Sequence, residues 1–313
     1  MWSGQNKALE SYVRTILAMV FGSDMGSVAE MNSGKKGRPF SYPDEMIEWG
    51  MILKEALHLP YRQAAGVMGF ISSIVGIPCI KRSQLCRRAA ELARSGMRMC
   101  KVTDARVLAM GTGNVPSRKG LTVAIDSTCL RLNEAGRWMI EHWDGKEVNS
   151  WIKVHAAVDT STDEVLAYVI TGPDCGDRSC FIDLIDLMRE KGFDVKKVLA
   201  DSAYDDRRFW NEMKERKIGF IANIRKNATG NFNGCSSRGL QALRRLEVGE
   251  EQWKAEVGYG IRWKVECTFS DLKRLLAFML RARDQDMMAC EVFWKIGVHN
   301  LYKGIRADLM GVS

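Results

Sequence analysis

The sequence has no long, uninterrupted apolar run. The uncharged stretch AAGVMGFISSIVGIPCI, residues 64–80, is short for a bilayer crossing and broken by glycine and serine, so it reads as buried helix. No membrane partner is expected. The opening MWSGQNKALESYVRTILAMVFG mixes charges into its apolar part, which is not a secretory leader pattern. The nine cysteines include no C-x2-C pair and no matched Cys/His spacing; Cys175 and Cys180 stand closest and have no second pair with which to build a zinc site. Scattered thiols in a reducing compartment, the cytoplasm, is the resulting expectation. Internal repeats and a low-complexity tail are also lacking. What remains is ordinary for a folded chain: 313 residues, 46% hydrophobic and 27% charged, enough for one large domain or two smaller ones.

The net charge of +8 is unevenly placed. Residues 1–120 hold 17 Lys and Arg against 9 Asp and Glu, while residues 121–313 are balanced at 29 each. A basic front end on a neutral body points to a polyanionic partner such as DNA. Within it, SYPDEMIEWGMILKEALHL, PYRQAAGVMGFISSIVG and KRSQLCRRAAELARSG read as three helices entered near Pro43, after Pro60 and through Ser83. The third is rich in arginine, with Arg82, Arg87 and Arg88 as candidate DNA contacts, and the trio is compatible with a helix-turn-helix module.

The hydrophobic period then changes. LTVAIDSTCLRL (121–132), WIKVHAAVDT (151–160) and DEVLAYVITG (163–172) have strand composition, with a turn near residues 160–163 short enough for a hairpin. A helix at 177–191, the strand VKKVLADSAY, a helix at 205–217 and the strand GFIANIRK follow. Three strands, then strands alternating with helices, predict an α/β layer with a mixed sheet flanked by helices. The expected organisation is a tail and linker at 1–40, a basic helical DNA-binding region at 41–101, a connector at 102–119, a catalytic domain at 120–304 and a tail at 305–313.

Three acidic residues carry the chemistry of this reading. Asp126 and Asp201 each end a run suited to a buried strand, where an ionisable group is costly unless used or paired. Sites in open sheets gather at strand C-termini, so the two converge if their strands are neighbours. The third lies in YGIRWKVECTFSDLKR. Taken as one helix, this segment puts Arg262, Glu266 and Lys273 within about 60° of Tyr259. Ile261, Val265, Phe269, Leu272 and Leu276 fall on a separate apolar stripe. Three oxygen ligands without histidine suit Mg²⁺ or Mn²⁺ and phosphodiester chemistry. Each residue also has a plainer reading: Asp126 and Asp201 as local caps, Glu266 as the partner of Arg262.

At these residues the chain resembles the DDE transposases of prokaryotic insertion sequences, in the group spanning insertion-sequence families four and five. Tyr259, Arg262, Glu266 and Lys273 match that family's Y-x2-R-x3-E-x6-K signature. Asp201-Ser202-Ala203-Tyr204 matches the setting of its second carboxylate, and Asp126-Ser127 that of its first. FSYPDEMIEWGMILKEALHLPYRQAAG and WKIGVHNLYKG resemble its N-terminal region and C-terminal helix. The resemblance implies an RNase H-like fold, Asp126, Asp201 and Glu266 as catalytic and metal-holding residues, and Tyr259, Arg262 and Lys273 contacting DNA or orienting Glu266. It further implies double-stranded DNA as substrate and a dimer or higher oligomer on it. Only 64 residues lie between Asp201 and Glu266, leaving no room for the large insertion some relatives carry there. A DNA-binding derivative that no longer cuts, and a nuclease without strand transfer, are the alternatives.

Overall fold

Leu121–Leu132 is the strand around which the molecule is arranged. It is one of four successive strands: β1 (Val107–Met110), β2 (Leu121–Leu132), β3 (Trp151–Asp159) and β4 (Val165–Thr171). The computed structural model describes residues 28–76, 78–96, 107–110, 118–132, 151–225, 228–276, 279–282 and 285–309. Most of the tail and linker read at residues 1–40 lies outside these; a single helical turn, Val28–Met31, is seen.

β2 pairs antiparallel with β3, β3 with β4, and β4 with β1. The β3–β4 hairpin is the one expected. Its turn is held by the Asp159 carboxylate, which accepts from the Ser161 N–H at 2.9 Å, and it uses Asp163 at φ 62°, a conformation Asp tolerates better than most residues. On the other side of β2 the sheet runs parallel, through β5 (Val195–Ala200) to β6 (Gly219–Ala222). The order β1-β4-β3-β2-β5-β6, antiparallel on one side and parallel on the other, is the RNase H-like mixed sheet anticipated from the sequence. A two-residue strand, β7 (Met279–Leu280), pairs with the far end of β2.

The two faces of β2 have different neighbours because successive side chains point opposite ways. Leu121, Val123 and Ile125 join a core with α4 (Phe181–Glu190) and α5 (Arg207–Glu215). Ala124, Leu130 and Leu132 join the other core, with α8 (Trp263–Leu275) and α9 (Gln285–Leu309); α6 (Ser236–Val248) and α7 (Glu250–Glu256) lie between β6 and α8 in sequence. β4 is buried along its whole length, which is why its sequence is continuously apolar and not alternating.

Three N-terminal helices, α1 (Asp44–Ala56), α2 (Tyr61–Val75) and α3 (Arg82–Gly96), pack into that second core. The Trp294 indole N–H donates to the Ala89 carbonyl at 3.0 Å. Glu55 of α1, 2% exposed, pairs with Lys295 of α9 at 3.0 Å and with Lys54 at 2.5 Å. Three details depart from expectation. β1 forms within the segment read as a connector, α3 starts at Arg82 ahead of Ser83, and α9 continues past residue 304 to Leu309. Among the described residues no helix is long and apolar enough to cross a membrane.

Candidate active site

Register places the first two carboxylates side by side. In the parallel β2–β5 pair Ile125 lies opposite Ala200, so Asp126 and Asp201 are the next residues along adjacent strands. Asp126 is at an even position of β2 and faces α8; the strand continues past it to Leu132. Asp201 follows the last residue of β5 and caps the short 3₁₀ turn Ser202–Tyr204, its Oδ1 accepting from the Ala203 N–H at 2.8 Å. Asp126 Oδ1 accepts from the Ser127 N–H, also at 2.8 Å.

Glu266 arrives from α8, in its first turn. The segment before it is a 3₁₀ turn, Tyr259–Arg262, and not the start of the helix. With about three residues per turn instead of 3.6, the angles measured from Tyr259 shift. Two expectations fail for this reason. Ile261 is 38% exposed, while Val265, Phe269, Leu272 and Leu276 are buried as read. Tyr259 leaves the polar stripe and is 8% exposed, its hydroxyl donating to the Ala200 carbonyl at 3.1 Å and its ring stacked on Trp253. It ties the start of α8 to the end of β5, one residue before Asp201, and its buried hydroxyl is not presented to a phosphate.

Arg262 joins the set. Its Nη1 donates to Asp126 Oδ2 at 3.3 Å and its Nη2 to Glu266 Oε1 at 2.5 Å. One guanidinium therefore spans two acids that come from a strand and a helix 140 residues apart in sequence. Burial first, and the Asp201 and Glu266 charges with it, push the Asp126 carboxyl up to about 6 against the opposing Ser127 N–H and Arg262. Asp201 and Glu266 thus both lie near enough to Asp126 for their charges to act on it. Of the plainer readings, the Asp201 cap and the Arg262–Glu266 i,i+4 pair are present, each using only part of its carboxylate, whereas Asp126 caps no turn because β2 runs on through Ser127 and Thr128. Among the described residues no hydrogen bond is made to Asp201 Oδ2 or Glu266 Oε2, and the Glu266 side chain is 57% exposed. An all-oxygen donor set with excess negative charge, already attracting one cation, fits hard divalent ions.

Lys273 is exposed two turns along α8 from Glu266. Arg82 and Arg87 are both exposed on α3. Arg88 is not: it is 8% exposed, ion-paired with Asp44 and with Glu91 at 3.0 Å, and its guanidinium lies 3.7 Å from the Phe40 ring centre. That arginine knits α3 to α1 and to the segment before it, so its place among the DNA contacts is corrected. Two residues beside the site, Asp177 and Lys153, went unnoticed in the sequence. Asp177 accepts from the Ser127 hydroxyl at 2.6 Å and from Lys153 at 3.1 Å, holding the loop after β4 against the residue that follows Asp126. Nothing in the local pattern around Asp177 marks it; only the strand pairing brings it there.

A family model described as "Transposase DDE domain" matches residues 117–301, and a second of the same description matches residues 13–135. Among solved structures, a similar chain comes from "CryoEM structure of simian T-cell lymphotropic virus intasome in complex with PP2A regulatory subunit B56 gamma". It is 13% identical, covers 72% of this chain and 69% of its own, and superposes with a TM-score of 0.24. Members of the matched family generally cleave and transfer DNA with divalent metal ions. The family match spans the strands and the helix that bring Asp126, Asp201 and Glu266 together, and the chain belongs to the transposase DDE domain family.

Proposed function

We propose that the chain binds the terminal inverted repeats of its own insertion sequence, hydrolyses the phosphodiester at each end, and joins the freed 3′-hydroxyls to target DNA. The observation that carries this reading is the Arg262 bridge between Asp126 and Glu266, with Asp201 in adjacent register. Asp126, Asp201 and Glu266 are the residues that would hold Mg²⁺, with Mn²⁺ as substitute. Two ions held there would lower the pKa of the attacking water or 3′-hydroxyl and neutralise charge on the leaving oxygen.

The protein's own groups do the rest. Tyr259 positions Glu266 by fixing the 3₁₀ turn to β5. Arg262, released from the carboxylates once cations neutralise them, is placed to take a DNA phosphate. Lys273, on the same face of α8, extends the positive surface along the strand being cut. Upstream, Lys35, Arg38 and Arg87 line one recess of about 260 Å³ beside α3. With exposed Arg82 it forms the basic surface assigned here to repeat binding, within the region 41–101 and its flank. Since two ends must be cut together, the active species is a dimer or larger on DNA.

The test compares wild type with Asp126→Asn, Asp201→Asn and Glu266→Gln on DNA carrying the element ends in Mg²⁺. Each variant should lose cleavage by at least about 10³-fold and bind the ends within a few-fold of wild type. Cleavage surviving in any of the three would remove that residue from the centre. Binding without cleavage by wild type itself would leave a DNA-binding protein that does not cut.

A further inference from the structure

We propose a second metal site, distinct from the acidic one, in which His155, Cys175 and Cys180 bind a soft or borderline dication, zinc under cellular conditions. One ligand atom from each of the three lies within 4.8 Å of the others. His155 and Cys180 are fully buried, and Cys175 is half-buried at the loop surface. A tetrahedral zinc holds sulfur and nitrogen ligands about 3.3–3.8 Å apart, as follows from Zn–S near 2.3 Å and Zn–N near 2.0 Å. The three atoms therefore close on an ion with shifts of about 1 Å or less, within reach of cysteine rotamer adjustment.

The hydrogen bonding around the imidazole supports this role. The Thr171 hydroxyl has one proton, and it donates to the Gly172 carbonyl at 3.1 Å. With that proton on Gly172, the oxygen accepts from His155 Nε2, 2.9 Å away, a pairing in which Nε2 carries the ring proton and Nδ1 the lone pair. A histidine that donates one N–H to a fixed oxygen and keeps its other nitrogen basic is prepared as a metal ligand. Two thiolates and one neutral imidazole balance a 2+ ion, the two thiol protons leaving to solvent on binding. Sulfur and nitrogen donors here, and oxygen donors alone at Asp126, Asp201 and Glu266, sort the two sites toward different metals.

The site explains what positions Asp177. Cys175 and Cys180 bracket it in one short segment, and His155 sits on β3 opposite Ser127. An ion joining them clamps the loop after β4 onto the sheet where Asp177 receives the Ser127 hydroxyl, next to Asp126. Cysteine spacing alone does not reveal this cluster, because the third ligand is 20 residues upstream of Cys175, on another strand.

The experiment measures zinc per chain by elemental analysis in full-length protein purified without chelator or histidine tag. It is followed by Co²⁺ titration of the metal-free form, read by its sulfur-to-cobalt charge-transfer band. Wild type and Cys129→Ser should retain about one zinc per chain and show the band. Cys175→Ser, at a half-buried position where folding is least at risk, and His155→Gln should lose the zinc and weaken or abolish the band. Mg²⁺ in excess should not displace the cobalt. A wild type that shows neither zinc nor the cobalt band overturns the proposal, and so does a band unaffected by Cys175→Ser. Because the acidic site has no thiolate, failure here leaves the reading of Asp126, Asp201 and Glu266 untouched.

Discussion

Arg262 is the side chain on which the resting site turns. It pairs with both Asp126 and Glu266, where the metal ions are proposed to bind, so removing it leaves acids that repel across a half-buried cleft. Arg262→Gln should destabilise the cation-free protein by about 1–2 kcal/mol. It should also enlarge the gain in melting temperature on adding Mg²⁺, because no internal cation competes. Thermal melts with and without Mg²⁺ give both numbers. An Mg²⁺ gain equal to that of wild type would mean the guanidinium does not occupy the cations' place. At this scale the sequence was legible where chemistry is local: three acids and an arginine could be picked out by their neighbours in the chain. It was not legible for Tyr259, because a 3₁₀ turn and an α-helix share the same residues and differ only in pitch. Nor was it for Arg88, whose partners Asp44 and Phe40 lie more than 40 residues away.

Two elements at the junction of the helical region and the sheet carry buried ionisable groups. On α1, burial would raise the Glu55 carboxyl, but the ammoniums of Lys295 and Lys54 outweigh it and hold the pKa below the ordinary range. Glu55→Ala would leave Lys295 buried without that partner and should cost about 3–5 kcal/mol in urea unfolding, whereas Glu55→Gln should cost less. Equal losses would show that only the charge of Glu55 matters, and a negligible loss for Glu55→Gln would show that shape and not charge is what α1 contributes.

On α9, burial and the nearby Lys303 push the His299 imidazole down to about 4. The folded state then favours the neutral ring. Its contribution is whole above the unfolded value near 6.5 and is lost as pH falls from there toward 4, by up to about 1.4 kcal/mol per pH unit. His299→Gln should flatten the stability profile between about pH 6.5 and pH 4; a slope matching wild type would assign the acid sensitivity to other groups. Strands such as Leu121–Leu132 and the β3–β4 hairpin were readable because composition and turn chemistry agree over several residues. β1 and β7 were not: four and two residues carry too little pattern, and pairing partners far away in the chain create them.

For the whole molecule, the shared core changes how the basic half must be tested. Deleting residues 1–100 would strip Met46, Leu85, Ala89 and their neighbours from a core that contains Val265 and Trp294, so a loss of DNA binding would report unfolding. Replacing Arg82 and Arg87 by Ala keeps the core. Each phosphate interaction removed in this way should reduce the steepness of log affinity against log salt by about 0.9, with melting temperature unchanged. Arg88→Ala should instead lower the melting temperature. An unaltered salt dependence in the double variant would place the DNA on another face. The charge asymmetry that pointed to this half is a property of the chain, while which arginines face solvent is a property of packing and had to come from the structure.

The role proposed for Asp126, Asp201 and Glu266 is that of a single centre for DNA strand transfer. Its most direct measurement is the joining of pre-cleaved element ends, bearing free 3′-hydroxyls, to a target plasmid in Mg²⁺, with wild type and Asp201→Asn side by side. The expected result is a covalently joined product with wild type, none with Asp201→Asn, and none for either protein in the presence of a chelator. Joined product at equal yield from both proteins would contradict that role.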